Sequence, residues 1–407
     1  MKRKAILALT AAALCSATAF SQSLKVYQGQ VAVSVPAATA SDMAYTDGGD
    51  TLRVMGLAFA TAEIDSIVCS RAAGLSQTLE VAYEGTQARV TVAADAAKWV
   101  DIAVTAADVR IVADPLLSTE LTYILSGSSD DGSFFMDGEL KASFVLDGLT
   151  LTNKRGAAID IACGKRISVE LPEGTTSTLA DAEGGIHKAC FFVNGHPEFK
   201  GGGTLNLVGN TKHAFASDEY TQFKSTFGTL NVTYAVSDGL HIDQYFEQNG
   251  GIINISGTQG DCIDVSLTKD ATDVYNGEAF LTGGTLNLTV AADDVKGLKT
   301  ETSATLSGGT LYAVVSGDGC KGISTGTDLY INNSSGSDPL VRMELTGGTY
   351  MPGDALLESK CRGIKVKGNF TFDGGTIEMT WDANKNKGIS VDGQYTYLSG
   401  STNVNVN

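Results

Sequence analysis

The chain has 407 residues, with 29 Lys and Arg against 46 Asp and Glu, a net charge of −17, 43% hydrophobic residues and 47 glycines. So large an acidic surplus argues against nucleic acid and anionic membranes as partners and favours divalent cations. Seven cysteines without a single C-x-x-C pair exclude the common zinc and thiol-redox motifs.

Residues 1–21 read as a Sec signal peptide: Lys2, Arg3 and Lys4 lead an apolar run from Ala5 to Cys15, and Ala19 and Ser21 supply small residues for cleavage near Ser21. Leu14 stands before Cys15 where a lipoprotein signal needs a small residue, so the expectation is a protein released outside the cell or held at its surface. No later stretch approaches the ~20 apolar residues of a membrane span, and no transmembrane segment is expected. Strand-like alternation comes next, as in Leu79 to Tyr83 and Arg89 to Val92, without any longer repeat. Residues 22–105 are therefore expected to form a separate, small β-rich module. From Val109 the pattern shifts to irregular first rungs of a repeat array, so the second unit is drawn as 106–407.

Between Gly202 and Met379 six letters recur seven times, as in Gly202 to Leu207, Gly283 to Leu288 and Gly374 to Met379. The second position of each copy (Gly203, Gly228, Gly251, Gly284, Gly309, Gly348, Gly375) is spaced from the next by 25, 23, 33, 25, 39 and 27 residues. Such a period means stacked units that bury apolar side chains against their neighbours. A second ladder, Ala214, Leu240, Ile263, Leu298, Ile323, Ile364 and Ile389, and a third strand before each Gly pair (Glu278 to Leu281, Arg342 to Leu345, Asn369 to Phe372) give three short strands per unit. With Gly or Asp-Gly at the corners and no sustained helical period, this is an all-β chain, each unit one rung of a parallel β-helix. Rungs ~4.8 Å apart would then stack equivalent residues. Asn206, Asn231, Asn254 and Asn287 would form an outward column, a stabilising amide ladder against the alternative of a sugar-contacting strip. Cys320 and Cys361 would be axial neighbours, as a disulfide or as two stacked thiols.

The ordered string Val145 to Asn153, Gly156 to Ile159 and Ile167 to Thr175, followed by the Asp-Gly and Gly-Gly-Thr rungs, resembles a family of secreted β-helix carbohydrate-binding domains first described from a cellulose-degrading clostridium. The resemblance spans roughly Val109 to Asn407. It implies a right-handed parallel β-helix similar to polysaccharide lyases, bound calcium, and a role in binding cellulose or acidic sugars. Glu63 to Ile67 also resembles a short segment common near the N-termini of exported bacterial surface proteins.

Two positions before the second ladder stand Asp238, Asp261, Lys296, Lys321, Arg362 and Lys387; one position after it stand His241, Asp264, Lys299, Ser324, Lys365 and Ser390. One face is thus acidic at one end and basic at the other. Asp238, Asp243, Asp261 and Asp264 offer hard oxygens suited to Ca²⁺, against the alternative that Asp serves Asp-Gly corners. Lys296, Lys299, Lys321, Arg362, Lys365 and Lys387 suit the carboxylates of a uronate polysaccharide, against the alternative of a solvated face paired with local acids. His241 reads as a lone surface histidine, and the G-x-S-x-G string at Gly322 to Gly326 as a coincidence within a rung. Three functions are compatible with this pattern: a calcium-stabilised, non-catalytic polysaccharide-binding protein; a calcium-dependent polysaccharide lyase with Lys296 or Lys299 as base, its pKa lowered by neighbouring cations; or a structural surface adhesin. The first is favoured, because likeness to lyases does not confer activity.

Overall fold

The computed structural model describes residues 22–72, 76–353, 358–382 and 385–406. The expected signal peptide, residues 1–21, lies outside the described residues. The described residues contain no α-helix, only four 3₁₀ turns of three to six residues, and the protein is all-β. No helix among them is long and apolar enough to cross a membrane.

Alternation dictates the strands. Leu205, Leu207, Leu230, Val232, Ile253, Ile255, Leu286 and Leu288 are all buried, while the asparagines between them face outward. Thr204–Gly209, Thr229–Ala235, Ile252–Ile255, Thr285–Val290, Thr310–Val315 and Leu340–Leu345 pair in parallel, each with the next. A second parallel ladder joins His196–Lys200, Thr221–Phe223, Tyr245–Gln248, Glu278–Leu281, Ala304–Leu306 and Leu329–Asn332. Both meet on the long strand Phe370–Trp381. The remaining ladder is a twelve-stranded sheet among the described residues, running from Val100–Thr105 to Lys387–Val391 and parallel throughout except for its first hairpin.

Close stacking explains the glycines. Gly251, Gly284 and Gly309 have φ of +73°, +81° and +70°, and a Cβ on each would lie 2.6–2.7 Å from the carbonyl oxygen of the equivalent glycine one repeat earlier. The amide ladder forms as expected: Asn231, Asn254 and Asn287 each donate Nδ2 to the Oδ1 of the asparagine before, at 2.8, 2.8 and 2.7 Å. Cys320 and Cys361 are buried free thiols.

Three expectations change. In the twelve-stranded sheet the ladder that runs through Leu240 takes Phe215, not Ala214, because Phe215 pairs with Leu240 and fills the interior. The sixth G-G-T copy is not a rung: Thr349–Tyr350 forms a small antiparallel pair with Ser359–Lys360. Pro352 comes two residues later, and proline lacks the N–H that a central strand requires. The rung at that level is Leu340–Leu345, which belongs to the first ladder rather than the third. Finally, residues 22–105 are all β but continuous with the repeat array. Thr78–Glu84 pairs in parallel with Leu121–Ser129, and Val100–Thr105 forms a hairpin with Asp108–Ala113, so a boundary at 105 would divide a hairpin. Among the described residues one apolar core runs from Leu24 to Met379.

Candidate functional site

The outward face of the twelve-stranded sheet carries the charged columns. Its register places His241, Asp264, Lys299, Ser324, Lys365 and Ser390 on successive strands, and likewise Lys296, Lys321, Arg362 and Lys387. Asp238 and Asp261 extend the latter column through hydrogen bonds: the Asp261 N–H donates to Asp238 Oδ1 at 2.8 Å, and the Lys296 N–H to Asp261 Oδ1 at 2.8 Å. The aspartates therefore serve the corners, but across repeats rather than within their own turns.

The one-residue shift of register brings in a residue that the sequence pattern did not single out. With Phe215 in the ladder, His213 takes the position before Asp238, and its ring stacks on His241 with centroids 4.3 Å apart. The signal was present in the sequence as a polar residue two places before an apolar one, in His213-Ala214-Phe215 as in Asp261-Cys262-Ile263. His213 Nδ1 lies 3.1 Å from Asp238 Oδ2 and 3.3 Å from the Asp238 backbone N–H, which donates to it. Nε2 of this ring is buried without a hydrogen-bond partner.

His241 is not a lone surface residue. Its Nδ1 lies 3.2 Å from Asp238 Oδ2 and 3.1 Å from Asp264 Oδ2, and its Nε2 lies 3.7 Å from Asp243 Oδ1. Burial alone would lower its pKa, but the hydrogen bonds to Asp238 and Asp264 outweigh burial and push it up to about 9, so it is an imidazolium at neutral pH. Burial also opposes ionisation of Asp238 and Asp264, yet their hydrogen bonds, with His213 and His241 for the first and with His241 and Lys299 for the second, hold both below the usual carboxylate range. Burial of Asp261 dominates over Lys296 and raises its carboxyl to about 6.

The basic residues mostly find local acids. Lys299 Nζ reaches Asp264 at 2.9 Å and Glu301 at 3.2 Å. Its pKa is raised, because those carboxylates outweigh burial. The expectation of a lysine base depressed by neighbouring cations therefore fails for Lys299, which sits among acids. Lys321, only 8% exposed, binds Asp294 Oδ1 at 3.2 Å, the Gly319 carbonyl at 2.5 Å and Ser359 Oγ at 2.6 Å. Lys365 pairs with Asp392, and Lys296 Nζ donates to the Asp294 carbonyl at 2.6 Å. Among the described residues, Arg362 and Lys387 have no carboxylate at ion-pairing distance.

Asp238, Asp243, Asp261 and Asp264 are gathered as the sequence suggested, but two imidazoles, an ammonium and two backbone N–H groups already engage them. Ca²⁺ takes six to eight oxygens, so this arrangement admits the ion only if His241 and Lys299 withdraw. Ser324 lies within the strand Lys321–Thr325, not on a strand-to-helix elbow.

The family of carbohydrate-binding domain-containing proteins matches residues 113–406, most of the chain, and the chain belongs to it. A carbohydrate-binding domain-containing protein of Acetivibrio thermocellus is 29% identical over 120 residues, 27% of this chain and 41% of that relative, so less than half of the relative's length is spanned. A solved polysaccharide lyase-like protein from C. thermocellum, studied as a gadolinium derivative, superposes with a TM-score of 0.52 at 23% identity. It covers 62% of this chain and 96% of its own, and that likeness bears on the fold alone.

Proposed function

We propose that this chain is an exported, non-catalytic polysaccharide-binding protein, its repeats winding as a right-handed parallel β-helix and its basic column receiving the carboxylates of acidic or cell-wall glycans. The observation that supports this reading is the in-register pair Arg362 and Lys387, which continue the column past the buried, Asp294-bound Lys321 and are free of carboxylates among the described residues. Cations repeating once per strand along a straight face suit a polymer of regularly spaced anions, and Arg362 offers a planar fork for one of them. Lys299, held charged, does not supply the base that elimination needs.

Titration calorimetry with polygalacturonate and alginate tests the proposal. Binding is expected, weakened roughly tenfold in the double variant Arg362→Gln, Lys387→Gln. Absence of heat with every glycan tried overturns it, and ultraviolet absorbance from unsaturated products would establish a lyase instead. Calcium enters the proposal as a stabiliser held by Asp238, Asp243, Asp261 and Asp264 once it has displaced His241 and Lys299 from them. A thermal midpoint raised by added calcium and lowered by a chelator is the expected result; a midpoint indifferent to both removes calcium from the proposal. Export predicts that the mature protein outside the cell begins near residue 22, a matter for N-terminal sequencing.

A further inference from the structure

The two imidazoles at the acidic end of the sheet share one carboxylate oxygen. His213 opens the strand His213–Ser217, Asp238 stands at the corner before Leu240–Asp243, and His241 lies on that strand one repeat later. Asp238 Oδ2 is 3.1 Å from His213 Nδ1 and 3.2 Å from His241 Nδ1, and the two rings stack at 17°. His241 Nδ1 also lies 3.1 Å from Asp264 Oδ2. One donor atom from each of His213, Asp238 and His241 falls within 4.8 Å of the other two. Ligands bound at ~2.0–2.1 Å around a tetrahedral cation lie about 3.3 Å from one another, close to the spacing these nitrogens keep from the carboxylate oxygens.

The carboxylate is aimed by its surroundings. Asp238 Oδ1 accepts the Asp261 N–H at 2.8 Å, and a Cβ on Gly260 would collide with that same oxygen, so Oδ2 is the atom left to face the rings. Ligands braced in this way by a neighbouring donor hold a cation more tightly. His213 is 2% exposed, and hydrogen bonds alone do not satisfy it. Its Nδ1 receives the Asp238 N–H at 3.3 Å while facing Asp238 Oδ2, and its Nε2 has no hydrogen-bond partner among the described residues. A proton on Nδ1 would meet the N–H, whereas a proton on Nε2 would be buried unbonded and leave a lone pair against the carboxylate. A cation beside Nδ1 and Oδ2 turns that opposition of lone pairs into coordination. The side chain of His241 is 29% exposed, so an ion can enter from the outer face.

Donor type selects the ion. Ca²⁺ takes oxygen ligands, six to eight of them, whereas imidazole suits Zn²⁺, Ni²⁺ and Cu²⁺. Calcium at the aspartates must first displace His241 and Lys299, but a zinc-like ion keeps His241 as a ligand and leaves Lys299 on Asp264 Oδ1 and Glu301. It displaces only the proton that His241 carries.

We propose that His213, Asp238 and His241, with Asp264 Oδ2 beside them, form a binding site for a borderline divalent cation of the Zn²⁺ class, which ties three successive repeats together. This ion differs from calcium in the nitrogen ligands it takes, and the two compete through the aspartates they share. The inference does not rest on the reading of the chain as a polysaccharide-binding protein.

The test uses the full mature chain, untagged and stripped with a chelator, and Zn²⁺ alone as the probe. Calorimetry is expected to show one tight site per chain, weakened roughly a hundredfold or more in His213→Gln and in His241→Gln and unchanged in His196→Gln. Equimolar Ca²⁺ should leave the zinc heat in place. X-ray absorption at the zinc edge of the loaded wild type is expected to show two imidazoles among the ligands, and it decides the matter by itself if a histidine variant fails to fold. No zinc binding, binding kept in either folded histidine variant, an edge without two imidazoles, or Ca²⁺ taken in preference to Zn²⁺ each overturns the site. A chain that binds zinc and no glycan loses the polysaccharide reading and keeps this one.

Discussion

His241 lies between Asp238, Asp243 and Asp264 and stacks on His213, so its charge state controls the balance of the acidic end of the sheet. Its pKa rises from the ordinary 6.5 to about 9, so the stability it contributes is fully present below 6.5 and is lost as pH rises through about 9. Asp238 and Asp264 act in the other sense. Held below their ordinary 3.8, they stabilise above that value and lose the contribution as pH falls through their folded values. Asp261, raised to about 6, favours the folded state most below 3.8 and gives that up by about 6. His241→Gln is expected to cost about 2–4 kcal/mol near neutral pH, because it strands two partly buried carboxylates. Urea melts of both proteins should show the gap narrowing between about pH 7 and about pH 10, where the wild type loses its own imidazolium. A gap constant over that range would mean that His241 acts by packing rather than by charge.

Strands in this chain succeed one another in register, and the amide ladder reports that register directly. Removing the amide at Asn254 breaks two hydrogen bonds, its own donation to Asn231 and the one it accepts from Asn287. Asn254→Leu should therefore lower stability by about 1–3 kcal/mol in urea unfolding, and Asn287→Leu, at the end of the asparagine run where only its own donation to Asn254 is lost, by less. Equal costs at both positions would show that the amides do not act as a chain. The G-G-T hexads made this ladder legible, because glycine and alternating aliphatics leave few other ways to build the segment. Registry at the corners was less so. Ala214 and Phe215 are both apolar, and only the volume of the interior decides that the larger ring points in. Likewise Gly347 to Tyr350 carries the repeat's letters, but Thr349–Tyr350 pairs antiparallel with Ser359–Lys360 while Leu340–Leu345 fills the rung.

Over the whole molecule, the apolar core is continuous from Leu24 to Met379, and the strands of 22–105 cover the first parallel strands of the repeats. A chain starting at residue 106 would leave Leu121–Ser129 without its partner Thr78–Glu84 and expose the buried Leu79, Val81 and Tyr83 contacts. Such a truncation is expected to aggregate or to melt well below the full mature chain, compared by light scattering and calorimetry. A soluble fragment with an unchanged midpoint would restore the division into independent units. The net charge of −17 is unevenly spread: acids crowd the repeats around Asp238 to Asp264, and unpaired cations remain near Arg362 and Lys387.

The repeat period, the β character, the alternation of buried aliphatics with outward asparagines, and the two charged columns were all determined by the sequence. Each depends on local pattern and on the short reach of one strand to its equivalent in the next repeat. Pairing within those columns needed the tertiary structure. A charge acquires its meaning from neighbours brought alongside by stacking, such as Asp264 against Lys299 across 35 positions of chain. The stack of His196, Tyr220 and Tyr245 needed it for the same reason, because these residues share one place in successive repeats that no common letter in the sequence marks.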